Sequence, residues 1–243
     1  MKFLKQLLNS VGCKRFSIRR STFETIVGHN DIKQILHRAV ISEQPIHVLL
    51  MGKPGSAKTM FLTEIMKKLK DSYFIVGSNT TKAGLVNQLF EKEPKYLLID
   101  ELDKMDGNAQ VSLLHLMETG IISETKVNKT RQLEVVSWVI ATTNSLEKII
   151  EPLLSRFVVL EIPDYTFAEF TDIAISRLAK EKVNREIASI IAAKVWTILD
   201  SRDIRDVIKV ARLITNQEGI SRIIGIMKRY SKSDKKQILD LEQ

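Results

Sequence analysis

The stretch Leu49-Leu-Met-Gly-Lys-Pro-Gly-Ser-Ala-Lys-Thr59 carries the strongest local signal in this chain. The apolar residues 46–51 predict a buried strand, and a turn with two glycines, Gly52 and Gly55, then leads into a helix that opens at Lys58. Strand, glycine-containing turn and helix in this order form a phosphate-binding P-loop. The sequence therefore predicts that a nucleotide binds at this turn.

The residue types in the turn suit this chemistry. Glycine lets successive backbone N–H groups point at an anion, and the following helix adds its positive N-terminal end. Lys58 is expected to reach the β- and γ-phosphates, and the Thr59 hydroxyl is expected to bind Mg²⁺. The predicted nucleotide-contacting residues of the loop are Gly52, Pro54, Gly55, Ser56, Ala57, Lys58 and Thr59.

Ala57 departs from the usual pattern, in which glycine directly precedes the lysine. Alanine is tolerable at this position if the residue has helical dihedrals. Its methyl group is then expected to crowd the phosphates only slightly. On that condition, the departure leaves the P-loop interpretation in place.

An acidic pair ends the next informative strand, in the run Tyr96-Leu-Leu-Ile-Asp-Glu-Leu-Asp-Lys-Met105. Nucleotide hydrolysis requires an apolar strand that ends in carboxylates downstream of a P-loop. Asp100 is expected to bind the Mg²⁺ shell, usually through water, and Glu101 is expected to polarise the attacking water as general base. Together with the P-loop, this pair predicts an enzyme that hydrolyses a nucleotide.

Composition fits a globular protein whose charge is unevenly placed. Charged residues make up 27% of the 243 residues and hydrophobic ones 44%, and the formal net charge is +8. Several basic residues precede the first acidic residue, Glu24, and these are Lys2, Lys5, Lys14, Arg15, Arg19 and Arg20. The excess favours nucleic acid or another acidic partner, and a solvated surface is about as good an explanation.

Cysteine usage and hydropathy indicate the compartment. Cys13 is the single cysteine, so an intrachain disulfide cannot form, which fits a reducing cytoplasm. The sequence contains no uninterrupted apolar run long enough to cross a bilayer. The first residues have spaced apolar positions interrupted by polar ones, which predicts a basic amphipathic helix that docks on the body of the protein or on a partner.

The strand signals end at Pro163-Asp164, and helical patterns follow. We therefore expect an α/β core with a parallel sheet sandwiched by helices, followed by a small all-α lid. The predicted domains are a basic N-terminal helix or arm (1–21), the nucleotide-binding core (22–163), the helical lid (164–230) and a charged C-terminal tail (231–243). Within the core, residues 121–136 predict an extended hairpin.

The order of these features resembles the AAA+ ATPase family over nearly the whole chain. Gly52–Thr59 is similar to the Walker A loop of that family, and Leu97–Glu101 is similar to its Walker B strand. Phe23–His29 resembles the segment that packs beside the adenine, which implies base contacts from Ile26 and Val27. The resemblance implies that ATP and Mg²⁺ are the cofactors.

Three polar positions match further functional residues of the family. Asn144 falls on the sensor 1 position, where an amide orients the water together with Glu101, and it could instead be a strand-end cap. Arg156 resembles the arginine finger that reaches into a neighbouring subunit, and Arg205 resembles sensor 2 on the lid, with Arg202 as the weaker candidate. A guanidinium suits both tasks because it can contact two phosphoryl oxygens at once. Ordinary ion pairs are the alternative for both arginines.

The hairpin resembles the insertion that separates the RuvB, minichromosome-maintenance and MoxR-like branches from clamp loaders. The words Ile-Asp-Glu-Leu-Asp-Lys-Met and Leu-Leu-Ser-Arg-Phe, together with Ala57, are similar to the minichromosome-maintenance helicases and MoxR. The compact lid directly after the core resembles RuvB. No winged-helix domain follows it, as one does in RuvB, which puts autonomous binding of duplex DNA in doubt.

This branch implies a Mg²⁺-dependent ATPase that works as a ring, expected to be a hexamer, and moves DNA as a RuvB-like helicase or translocase. Lys126, Lys129 and Arg131 at the tip of the hairpin are then expected to follow DNA phosphates, and a solvated surface or a docking site for a partner is the alternative. A second hypothesis is a MoxR-like chaperone ATPase that remodels a protein partner. A third is a nucleotide-gated binding module with negligible turnover, against which the Asp100-Glu101 pair argues.

Overall fold

The computed structural model describes the backbone of residues 23–126, 129–214 and 219–230, and the side chains of residues 125–130 are not part of this description. The predicted basic helix at 1–21 and the predicted tail at 231–243 lie outside the described residues. No helix in the described part is both long and apolar enough to cross a membrane.

Strands and helices alternate along the first two thirds of the described chain. The strands are β1 (His47–Met51), β2 (Ser72–Val76), β3 (Tyr96–Asp100), β4 (Ile121–Lys126), β5 (Lys129–Glu134), β6 (Trp138–Thr143) and β7 (Phe157–Glu161). The helices of the same part are α1 (Asn30–Val40), α2 (Lys58–Lys68), α3 (Lys82–Lys92), α4 (Gly107–Thr119) and α5 (Glu151–Leu154).

Five of these strands form one parallel sheet in the order β2-β3-β6-β1-β7. Met51 pairs with Thr143, and Ile99 pairs with Ala141 two residues before it, so β1, β6 and β3 end at one edge of the sheet. The P-loop follows β1, Asn144 follows β6, and β3 ends at Asp100, the first residue of the acidic pair. The topology therefore brings the predicted functional positions together.

The sheet is covered on both faces, as its continuous apolar strands predict. Val48 and Leu50 of β1 belong to the hydrophobic cluster that contains α1 and α2, whereas Leu49 belongs to the cluster that contains α3 and α4. This alternation follows from the two-residue period of a strand. The predicted parallel sheet sandwiched by helices is thereby confirmed.

The predicted hairpin forms from β4 and β5, which are the two strands of the insertion and pair antiparallel. Ile122 and Val135 are buried at its base, 3% and 9% exposed, in the cluster that also contains α3 and α4. Arg131 ion-pairs with Glu124, donates a hydrogen bond of 3.1 Å to Asn87 Oδ1 and lies over the ring of Phe90. These contacts fix the described part of the hairpin to α3.

The helices α6 (Phe167–Ala179), α7 (Arg185–Thr197), α8 (Ile204–Leu213) and α9 (Gly219–Arg229) follow the sheet. Their apolar faces form a hydrophobic cluster of their own around Phe170, Val195 and Val207. Thr166 and Glu169 form a capping box at the start of α6, which fixes the point at which the chain enters these helices.

Candidate nucleotide site

The P-loop joins β1 to α2 as the sequence predicts, and its lysine folds back onto the loop. Nζ of Lys58 donates hydrogen bonds to the backbone oxygens of Gly52 at 2.6 Å and of Lys53 at 2.7 Å. Burial lowers the pKa of Lys58, and the nearby carboxylate of Asp100 acts in the opposite direction. An anion in the loop can therefore recruit an ammonium group that the loop already holds in place.

Ala57 has φ 65° and ψ 8°, which is the left-handed region and not the helical one. The condition of helical dihedrals is therefore not met, because Ala57 is the residue at which the chain turns into α2 with a positive φ. A Cβ makes this conformation unfavourable, which explains why glycine is usual before the lysine. The methyl group of Ala57 packs against the core cluster of α1 and α2 and against the cluster of the C-terminal helices.

A hydroxyl and a carboxylate converge beneath the loop. Thr59 Oγ1 donates a hydrogen bond of 2.9 Å to Asp100 Oδ2, and Thr142 Oγ1 donates one to the other oxygen, Oδ1. Magnesium prefers oxygen ligands and is usually held by one or two protein groups together with phosphates and water. The pair of Thr59 and Asp100 fits such a site, because the hydroxyl oxygen and the carboxylate oxygen could both turn to a cation in place of their hydrogen bond, with the hydroxyl keeping its proton.

Glu101 is held next to Asp100 in an unusual backbone conformation. Its φ is 57°, in the left-handed region that a glutamate rarely occupies, and its backbone N–H donates to Thr142 Oγ1 at 3.1 Å. Its side-chain Oε1 lies 2.8 Å from Nζ of Lys104. Strained residues of this kind concentrate at functional sites, which fits the role predicted for Glu101.

These groups line a cavity of about 440 Å³ between the P-loop and the C-terminal helices. The predicted residues that line it are Pro54, Gly55, Ser56, Ala57, Lys58, Thr59, Asp100, Glu101, Asn144 and Arg205. Asn144 follows β6 directly, and its backbone N–H donates to Asp103 Oδ1 at 3.3 Å. The cavity has the size of a ligand pocket, and both cationic and carboxylate groups line it.

Some predicted residues do not line this cavity. Ile26 is 2% exposed within the core cluster of α1 and α2, so its side chain has no free surface for a base, and Val27 is not among the lining residues either. Arg156 lies on the surface and ion-pairs with Glu118 of α4. Arg202 stacks on Trp196, with its guanidinium carbon 3.7 Å from the ring centroid, and it does not line this cavity.

The cavity wall that the C-terminal segment provides was not predicted from the sequence. Tyr165, Ile173, Arg177 and Ile208 line the cavity opposite the P-loop. Burial raises the pKa of Tyr165 to about 12, so its hydroxyl stays protonated. Helical spacing offers a signal, since Ile173 and Arg177 are one turn apart, but spacing alone does not show which face meets the P-loop.

Comparison with known proteins agrees with this geometry. Residues 48–164 match the model of the ATPase family associated with various cellular activities (AAA). The chain therefore contains an AAA ATPase domain, and the family expected from the motifs is confirmed. The matched segment runs from β1 through the end of the sheet and includes the P-loop, both carboxylates and Asn144.

Relatives by sequence are DNA replication licensing factors. MCM2 of rice (Oryza sativa subsp. indica) is 28% identical over 202 residues, which cover 66% of this chain and 21% of that protein. The factor mcm2 of Xenopus laevis is 24% identical over 237 residues, which cover 85% of this chain and 27% of that protein. This chain thus spans about a fifth to a quarter of the length of these relatives.

Solved structures share the fold at low identity. A mutant of Thermotoga maritima RuvB superposes with a TM-score of 0.67 at 20% identity, and the superposition covers 84% of this chain and 72% of the RuvB chain. A reconstruction of Hsp104 with ATPγS and casein gives 0.64 at 17% identity and covers 79% of this chain and 45% of that one. These likenesses confirm the P-loop α/β fold, and together with the MCM relatives they agree with the expected branch.

Proposed function

We propose that this chain is a Mg²⁺-dependent ATPase that works as a motor subunit in an oligomeric ring. The observation that carries the proposal is the convergence of Thr59, Asp100 and Glu101 in one cavity with the P-loop lysine. A phosphate chain, a divalent cation and an attacking water need these donors, this carboxylate and this base within one small volume.

Each residue then has a defined task. Backbone N–H groups of residues 55–59 and the ammonium of Lys58 bind the phosphates. Thr59 and Asp100 would hold Mg²⁺, which would supply positive charge against the phosphates when it is bound. Glu101 accepts a proton from the attacking water, and Asn144 orients that water. Catalysis of this kind rests on positioning and electrostatic stabilisation.

The position of Arg156 supports a role between subunits. It lies on the surface next to α4 and outside the cavity of its own chain, so its guanidinium can serve as a finger only in the site of a neighbour. The ion pair with Glu118 would open when a neighbour presents its phosphates. Arginine fingers accelerate hydrolysis by about 10³ to 10⁵.

A mixing experiment tests this assembly. Glu101→Gln subunits keep the finger but lack the base, whereas Arg156→Ala subunits keep the base but lack the finger. Each variant alone is expected to hydrolyse ATP at least about a hundredfold more slowly than the wild type, and a mixture of the two is expected to recover a substantial part of the activity. A mixture as inactive as its components would exclude a finger that acts between subunits.

We further propose that the motor moves DNA, in a ring that we expect to be a hexamer. Support comes from the relatives, since the MCM matches are called DNA replication licensing factors and one RuvB match a Holliday junction branch migration motor. Arg131 is engaged by Glu124 and Asn87, so contact with phosphates would fall mainly to Lys126 and Lys129 at the turn of the hairpin. ATPase rates with duplex, branched and single-stranded DNA test this step, and Lys126→Ala/Lys129→Ala should abolish any stimulation.

The Hsp104 likeness favours one alternative, a chaperone ATPase that acts on a protein, because that reconstruction contains casein. The two functions predict different responses. DNA stimulation that falls steeply with salt supports the DNA motor. Indifference to every DNA substrate, combined with stimulation by an unfolded protein, would replace it with the chaperone.

A further inference from the structure

Asp203 joins the C-terminal helices to the nucleotide site through a single carboxylate. The residue precedes α8 and acts as its N-cap, because Oδ1 accepts a hydrogen bond of 2.9 Å from the backbone N–H of Arg205. Aspartate is a favoured residue at such a position. Capping alone would explain its presence, but the same carboxylate makes two further contacts.

The first of these contacts is a clamp on the side chain of Arg205. Nε of Arg205 lies 3.0 Å from Oδ1 and 2.8 Å from Oδ2 of Asp203, and Nη2 lies 2.6 Å from Oδ2. Burial alone would raise the pKa of Asp203, but the hydrogen bonds from Arg205 bring it below its usual value. The Asp203 side chain is 22% exposed and the Arg205 side chain 64% exposed. Because Asp203 is the more buried of the two, its carboxylate holds the arginine in place.

The second contact is with the P-loop. Gly55 has φ 87°, and a Cβ built on it would lie 2.9 Å from Oδ1 and 3.1 Å from Cα of Asp203. The start of α8 therefore rests on the turn that would hold the phosphates. In this arrangement the charge of Arg205 is close to Lys58: burial lowers the pKa of Lys58 most, and the guanidinium lowers it further.

We propose that Asp203 is a positioning residue that fixes Arg205 toward the third phosphate of the nucleotide and so makes the site prefer a triphosphate to a diphosphate. The inference rests on the proposed ATPase function. The clamp uses Nε and one side of Nη2, and a guanidinium carries further N–H donors beyond these two. Those donors remain for a phosphate without any rotation of the side chain, so Arg205 is preorganised when the nucleotide arrives.

A double-mutant cycle separates this role from capping. Asp203→Ser keeps a capping hydroxyl but removes the clamp, Asp203→Asn keeps the shape and the cap but weakens the clamp, and Arg205→Ala removes the group that is held. Asp106→Ser is the matched control, because Asp106 caps α4 with Oδ2 in the same way and does not line the cavity. Affinities for fluorescent analogues of ATP and ADP are measured with Mg²⁺.

We expect Asp203→Ser to weaken ATP binding about tenfold, at the lower end of what a hydrogen bond to a charged group contributes, and to change ADP binding less than about twofold. Asp203→Asn should show a smaller loss of the same kind, and Asp106→Ser should leave the ATP-to-ADP ratio unchanged. In the Arg205→Ala background, Asp203→Ser should cause no further loss, because a positioning residue acts through the group that it positions.

Three results would overturn the proposal: equal losses for ATP and ADP, additive losses in the double variant, and wild-type affinities in Asp203→Ser. If Asp203→Ser lowers the melting temperature below the assay temperature, Asp203→Asn decides by the same criteria. A wild-type protein that binds neither nucleotide would instead refute the proposed function, and Asp203 with it. If the wild type binds both nucleotides and Asp203→Ser binds them with the same affinities, only the role of Asp203 is refuted.

Discussion

Nζ of Lys104 lies 2.8 Å from Oε1 of Glu101, so the proposed general base shares an ion pair with a residue one turn further along the chain. Both side chains line the nucleotide cavity. Pairing with Glu101 raises the pKa of Lys104. The contact holds the carboxylate and at the same time occupies an oxygen that the attacking water would need.

Lys104→Met should raise the basal rate of ATP hydrolysis by a small factor. The pair is half-exposed, and exposed ion pairs contribute little, so the gain should stay below about fivefold. Lys104→Arg, which can restore the pair, should behave like the wild type. Steady-state ATPase assays check this, and a large loss of activity in Lys104→Met would show that the lysine assists the reaction instead of restraining the base.

Thr59→Ala and Asp100→Asn should remove the contribution of Mg²⁺ to ATP binding. Their side chains are 2.9 Å apart and supply the oxygen ligands beneath the P-loop. We expect the tightening of ATP binding by Mg²⁺ to fall by at least about a hundredfold, because losing a ligand should cost more than the roughly 10- to 100-fold that the hydrogen-bond partners of metal ligands contribute, with affinity in EDTA nearly unchanged.

Thr63→Ala is the control for this pair, since Thr63 lies one turn further along α2 and its hydroxyl donates to the backbone of Met60. Titrations with a fluorescent ATP analogue, with Mg²⁺ and with EDTA, provide the measurement. Equal Mg²⁺ dependence in Thr59→Ala and Thr63→Ala would contradict the metal site.

Local patterns predicted most of the fold because each element carries its own signal. The run from Tyr96 to Asp100 forms β3 as expected. Four consecutive apolar residues indicate a buried strand or a buried helix, and this run is too short for a helix. The pairing order of the strands was not predicted, because it depends on contacts between segments that are distant in the sequence. Thr59, Asp100 and Glu101, which line one cavity in the structure, are residues whose proposed chemistry is encoded in a short motif.

The parts that sequence did not reveal depend on contacts between distant segments. Ala57 lacks the helical dihedrals on which the sequence argument depended, because it turns the chain into α2 with a positive φ, which the identity of the residue does not reveal. The cavity wall at Tyr165 and Arg177 depends on how the C-terminal helices pack on the P-loop. From the sequence, Arg131 was expected to contact DNA phosphates, and its contacts with Asn87 and Phe90 of α3 could not be predicted from the hairpin alone.

Ala57→Gly should stabilise the protein by about 1 kcal/mol, because it relieves the left-handed conformation of an alanine and the gain exceeds the added entropy of the unfolded chain. Ala192→Gly is the matched control: Ala192 is buried in the interior of α7, where glycine is unfavourable by about 1 kcal/mol. The two substitutions should therefore shift the free energy of unfolding in opposite directions. Denaturant titrations measure both, and a destabilised Ala57→Gly would show that the lost methyl contacts matter more than the conformation.

His47 should make the stability of the protein depend on pH below neutrality. The side chain is 9% exposed, its Nδ1 accepts a hydrogen bond of 3.1 Å from the backbone of Val139, and burial lowers its pKa from 6.5 to about 4. The unfolded chain binds the proton more readily, so the stabilisation is fully present above about pH 6.5 and is lost as the pH falls toward 4. The shift corresponds to about 3 kcal/mol over this interval.

His47→Asn is the variant that tests this linkage, since an amide oxygen can accept the same hydrogen bond and does not titrate. Between pH 7.5 and pH 4.5 the free energy of unfolding of the wild type should fall by about 2 to 3 kcal/mol more than that of His47→Asn. The exposed His115 serves as the control, and His115→Asn should retain the wild-type pH dependence. Parallel curves for the wild type and His47→Asn would show that His47 is not the group that destabilises the fold in acid.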